Sequence, residues 1–157
     1  MSGGDAGRAR RAPERDYSAT PLARKLGIRA GAELVLLDAP AGLLEALAPL
    51  PPGVAVRRAA EGGGPADVLV VFATSRERLV PGFRAALALL AADGGLWVAW
   101  PKRASGVPTD LDFASVQELG LDAGLVDNKS CAVDETWTAL RFVVRLADRP
   151  GWAARRS

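Results

Sequence analysis

The sequence predicts a single α/β domain: a mainly parallel sheet with helices on both faces and an antiparallel hairpin at its C-terminal end. Three observations predict it. Short uninterrupted apolar runs, Glu33–Leu37 in "AELVLLDAP" and the core of "DVLVVFATS" from Asp67, are strands of the kind buried on both faces of a parallel sheet. Such strands alternate with segments of helical spacing. The last two apolar runs, "LVDNKSCAV" and "TWTALRFVVRLA", flank the turn "DET" and pair most simply as a hairpin.

Taken in order, "SATPLARKLGIRAG" predicts a short helix. Thr20 is placed to cap it, Pro21 suits its first position, and Gly27 ends it. Strand Glu33–Leu37 follows, then a brief helix in "PAGLLEALAPLPPG" and a weak strand in "VAVRR". Fewer than a dozen residues separate Arg58 from Asp67, too few for a helical crossover. The path there is left open between a poorly paired edge strand and an extended return. Residues 75–92 read as a helix with Pro81 starting or kinking its main segment and Leu87, Leu90 and Ala91 on the buried face. After the strand "GGLWVAW", Asp112 is expected to cap a helix that ends near Ala123 at Gly124.

Charge and composition exclude more than they include. Residues 17–146, the predicted domain, carry 13 Lys and Arg against 14 Asp and Glu, so −1; the two ends carry 7 against 4, so +3. The basic character thus belongs to a leader (1–16) and a tail (147–157), both expected to be disordered or flexible, and nucleic acid is not expected as a partner. The chain has no histidine, which removes Ser-His-Asp and Cys-His nucleophiles, His-based proton transfer and most zinc sites, and no metal is expected. The lone Cys131 fits a reducing cytoplasmic setting and reads as inert. No apolar run reaches the roughly 18 residues that span a bilayer.

Open parallel sheets bind ligands beyond the C-terminal strand ends, where strand order reverses. The segments leaving those ends are "DAPAG", "ATSRE", "WPKRASGVPTD" and the hairpin tip "DETW". They nominate Asp38, Ser75, Lys102, Arg103, Ser105, Thr109 and Trp137 as ligand-binding residues. Lys102 and Arg103 can clamp an anion, Ser105 and Thr109 add hydrogen bonds, and Trp137 can stack on a planar ligand. Arg57 and Arg58 read as edge-strand charges that discourage aggregation, Asp134 and Glu135 as a polar turn. Asp127, Asn128 and Lys129 interrupt a strand with three polar residues, which suits a ligand wall or an exposed edge.

The order of elements resembles a shortened class I methyltransferase, a Rossmann-like fold. More specifically, "YSATPLARKLGI", "LLDAPAG", "WPKRASGVPTDL" and "GLVDNKSCAVDETWTALRFVVR" resemble an uncharacterised bacterial domain family common in high-GC bacteria, over Tyr17 to Arg145. That resemblance implies a methyltransferase-like fold and supplies no catalytic residues. The methyltransferase resemblance implies a Gly-rich turn after the first strand that lets backbone approach S-adenosylmethionine, and an acid after the second strand for the ribose. Asp38 stands where that motif begins, but the turn holds Pro40 and only Gly42. Arg57 and Arg58 end the second strand, with Glu61 the nearest acid, and a strand–helix unit is missing after it. These departures disfavour S-adenosylmethionine. The leading expectation is a non-catalytic module that binds a small anionic ligand or a protein partner. The alternatives are a divergent S-adenosylmethionine-dependent methyltransferase and a protein-interaction module without a small ligand.

Overall fold

The computed structural model describes residues 20–58 and 63–152. The expected leader, 1–16, and the last five residues of the expected tail lie outside them. A short helix α1 (Leu22–Lys25) precedes β1 (Glu33–Leu37), α2 (Leu43–Leu47), β2 (Ala55–Arg57), β3 (Ala66–Phe72) and α3 (Arg76–Leu89). Then come β4 (Leu90–Pro101), α4 (Phe113–Asp122), β5 (Leu125–Ala132) and β6 (Trp137–Val144), with 3₁₀ turns at Arg103–Ser105 and Leu146–Gly151. One six-stranded sheet has the order β2-β1-β3-β4-β6-β5. The first four strands are parallel, and β6 runs antiparallel between β4 and β5. The expected fold is therefore the one observed.

Successive strand residues point to opposite faces, so each apolar run fills two cores at once. Val35, Leu69, Val71 and Phe142 face α3 and α4, while Leu34, Leu36, Val70 and Trp97 face α1 and α2. Trp97 is fully buried and its indole N–H donates to the Leu26 carbonyl at 3.0 Å, which pins the end of α1 onto the sheet. On the other face, Gly120 lets α4 lie directly on β6, because an added Cβ would run into the Phe142 ring.

Several local expectations shift. Pro21, not Thr20, caps α1, and its carbonyl accepts from Arg24 and Lys25 N–H at 3.1 Å. The buried face of α3 is Leu79, Phe83 and Ala86, with Leu87 only half-buried; the helix ends at Leu89, so Leu90, which is buried, and half-buried Ala91 belong to β4. Asp112 caps α4 as expected, in a reciprocal box with Ser115.

Of the open junction, residues 59–62 lie outside the described residues, and the edge-strand part of the expectation is what the structure shows. β2 is a three-residue edge strand, and residues 63–65 lead into β3 without regular structure. Arg57 holds them: its Nη2 donates to the Gly64 carbonyl at 3.0 Å, and a Cβ on Gly63 would collide with the guanidinium. Arg57 Nε also lies 3.7 Å from Glu33 Oε1, so this edge cation ties strands together. At the C-terminus, a loose tail from residue 147 is not what forms. A 3₁₀ turn brings Trp152 back to 2% exposure, where its indole N–H donates to the Leu90 carbonyl at 2.7 Å. One buried tryptophan outweighs the polar composition around it.

Candidate functional site

The chain moves outward from β1 to β2, then crosses back to β3, so strand order reverses between the C-terminal ends of β1 and β3. Such a reversal leaves a crevice in an open parallel sheet. Asp38 stands there, in the turn that leaves β1. With φ of 56°, it is the one non-glycine residue with positive φ among the described residues. Aspartate tolerates this conformation better than most side chains. Its carboxylate is exposed and has no partner among the described residues. Gly42, at φ 88°, then turns the chain into α2.

Across the crevice, the polar side chains are occupied in shaping loops. Ser75 Oγ caps α3 by accepting from Arg78 N–H at 3.3 Å, and Asp110 Oδ1 accepts from Arg76 N–H at 2.8 Å. Ser105 Oγ donates to the Lys102 carbonyl at 2.7 Å and accepts from Val107 N–H at 3.1 Å. Thr109 Oγ1 accepts from Leu111 N–H at 3.0 Å. At the hairpin tip Asp134 Oδ1 accepts from Thr136 and Trp137 N–H, both at 2.8 Å, which is the polar-turn role expected of it. Lys102 N–H donates to the Thr136 carbonyl at 2.7 Å, so the long loop and the hairpin tip share one rim. Trp137 packs edge-on against Phe72, with ring centroids 5.2 Å apart.

Two hollows open on this edge. One of about 710 Å³ lies under the loop after β4 and is lined by Trp100, Lys102, Arg103 and Thr109. Asp110, Phe113 and Thr138, which sequence reasoning passed over, line it too. The other, about 150 Å³, lies against α2 between Pro40, Gly42 and Arg58. Of the seven nominated residues, Lys102, Arg103 and Thr109 are thus brought together. Asp38, Ser75, Ser105 and Trp137 line neither hollow. Only the contact of loop with hairpin tip, invisible in the separate segments, shows why Thr138 joins the first group.

Two titratable groups are perturbed here. Backbone and side-chain hydrogen bonds from Ser115 hold the Asp112 carboxyl below its ordinary value. Burial pushes the Cys131 thiol up, against the opposing pull of Lys25 and Lys129, which keeps it an unreactive thiol. Among the described residues no group of three or more Cys, Asp or Glu is placed to hold a metal ion, and no helix is long and apolar enough to cross a membrane.

No protein-family model matches the chain, and no curated protein sequence does. Solved structures do. The chain is similar to a ribosomal protein L11 methylase from Lactobacillus delbrueckii subsp. bulgaricus, with a TM-score of 0.54 at 11% identity over 80% of this chain and 75% of that one. It is similar to the N-methyltransferase NodS from Bradyrhizobium japonicum WM9, with a TM-score of 0.53 at 16% identity over 77% and 90%. It also resembles the magnesium protoporphyrin IX methyltransferase of Synechocystis PCC 6803 with bound S-adenosylhomocysteine, at 0.50 and 11% over 76% of each. At these identities the likeness is one of fold: the chain has a Rossmann-like, methyltransferase-like α/β fold.

Proposed function

We propose that this protein binds S-adenosylmethionine at the crevice between β1 and β3 and directs methyl transfer to an acceptor in the hollow under Trp100–Phe113. The observation that carries this reading is the Asp38 carboxylate, without a partner among the described residues and held in a left-handed turn at the point where strand order reverses. Solved structures of similar fold include methyltransferases, one with the demethylated product bound, which favours the same reading. Asp38 suits the cationic end of the cofactor. The nucleoside end is less well served, since Pro40 supplies no N–H and Arg58 lines the small hollow beside α2. When bound, the cofactor supplies a methyl group already activated on a sulfonium. The chain then needs no nucleophile of its own, and the missing histidine is no obstacle. Its task is positioning. A hollow of about 710 Å³ with Trp100 and Phe113 beside Lys102 and Arg103 suits a small acceptor with an anionic group.

The misfit at Pro40 and Arg58 specifically favours a second reading, a ligand- or partner-binding module that uses Lys102 and Arg103 without methyl transfer. Label from methyl-labelled cofactor, offered with a panel of small carboxylates and phosphates, separates the two. Incorporation that falls in the Lys102→Ala, Arg103→Ala double variant supports methyl transfer. Ligand binding without incorporation supports the module. A cytoplasmic location and kinship with the uncharacterised high-GC bacterial family belong to the same proposal.

A further inference from the structure

The opposite end of the sheet carries a charge pattern that the proposed methyl transfer does not use. A hollow of about 490 Å³ opens there, beside the segment that joins α1 to β1, lined by Lys25, Arg29, Lys129 and Arg141 with buried Trp97 against it. Arg141 and Lys129 are direct cross-strand partners. Like charges so placed destabilise an antiparallel pair. A bulge sets this pairing: the register slips between Asp127 and Lys129, and without that slip Asn128 would stand opposite Arg141. The Arg141 guanidinium lies flat on β4 at Gly95, where an added Cβ would come within 2.7 Å of Nη2 and 2.8 Å of Cζ. Among the described residues its side-chain partner is Asn128 Oδ1, which accepts from Nη1 at 3.4 Å. None of the four cations forms an ion pair among the described residues. Half-burial, and after it the nearby Arg149 and Arg29, pull the Arg141 pKa below its ordinary value. Asp67 and Asp93 also line the hollow, but Asp67 is engaged, accepting from Glu33 N–H at 2.8 Å.

We propose that this groove binds a phosphate-bearing small molecule, its phosphoryl group seated between Arg141 and Lys129 with Lys25 and Arg29 beside it. The size of the hollow falls in the range of small-molecule sites, roughly 300–1,000 Å³. A planar guanidinium held by its neighbours suits the paired oxygens of a phosphate. The cations converge on one hollow and form no extended stripe, so a compact phosphate fits better than nucleic acid. An anion seated there would offset the like charge of this cross-strand pair.

Calorimetry on the full chain at physiological ionic strength, where charges beyond about 8 Å are screened, tests this with inorganic pyrophosphate, glycerol phosphate and duplex DNA. Saturable one-to-one pyrophosphate binding is expected, weakened about tenfold or more in both Lys129→Gln and Arg141→Gln and unchanged in Arg84→Gln on α3. Binding of glycerol phosphate as well assigns the site to organic phosphates, and pyrophosphate alone to the inorganic ion. Without ligand, Lys129→Gln is expected to melt higher than wild type, while pyrophosphate raises the Tm of wild type and Arg84→Gln more than that of Lys129→Gln. Lys129 is exposed on an edge strand, so this variant folds even where Arg141→Gln does not. No pyrophosphate binding at millimolar concentration, equal affinity in Lys129→Gln, or preference for DNA would each overturn the proposal. None of these results depends on S-adenosylmethionine binding.

Discussion

The two ends of the sheet use their polar residues in opposite ways. At the C-terminal end, Ser75, Ser105, Thr109, Asp110, Asp112 and Asp134 all bond the backbone of their own or a neighbouring loop. Asp38, at the reversal of strand order, has no partner among the described residues. At the N-terminal end, four cations line a hollow and form no ion pair among the described residues, two of them opposed across a strand pair. One end is a scaffold of satisfied turns that leaves a few groups for a ligand. The other holds unspent charge. Polar residues near a cleft are thus poor evidence of binding until their existing partners are counted.

This contrast makes substitutions at the two ends behave differently. The largest effect is expected for Trp97→Ala at the groove, which removes a fully buried ring and its hydrogen bond; a loss of about 3–5 kcal/mol in urea unfolding is expected. A loss below about 1 kcal/mol would mean that the groove has no rigid floor. Ser75→Ala at the scaffold end should cost about 1 kcal/mol through the lost cap, whatever it does to ligand binding. Lys129→Gln should stabilise the free protein by roughly 0.2–1 kcal/mol, and destabilisation would show the cation to be partnered after all. The smallest effect concerns acid. Folding lowers the Asp112 pKa below its ordinary 3.8, so the unfolded chain takes up the proton more readily. Its contribution is complete above that value and is lost as pH falls through the lower folded one. Asp112→Asn keeps a capping acceptor without the titration, and its stability should fall less steeply with acid below pH 3.8 than that of wild type.

What the sequence made legible was what local chemistry decides. Continuous apolar runs marked β1 and β3, Asp112 announced the start of α4, and the hairpin followed from two runs around a polar turn. The rim segments were also legible, because strand direction fixes which end a loop leaves from. Other features depend on packing between distant segments. Arg57 looked like an edge charge, yet it holds the return of the chain through Gly64. Trp152 lay in a polar tail, and nothing beside it announces Leu90, its partner. The groove draws on five separate segments, so no local motif could reveal it. Its one trace was the polar run Asp127-Asn128-Lys129, anomalous in a strand, where the bulge now accounts for the lost alternation.

The central claim, that Asp38 marks a cofactor site, is tested most directly by titrating S-adenosylmethionine into the full chain and its Asp38→Asn variant by calorimetry. Asparagine tolerates the left-handed backbone, so the substitution removes charge and leaves the turn. One-to-one binding to wild type, weakened about tenfold in Asp38→Asn, is the predicted result. Absence of binding to wild type at millimolar cofactor, or equal affinity in the two proteins, would contradict it.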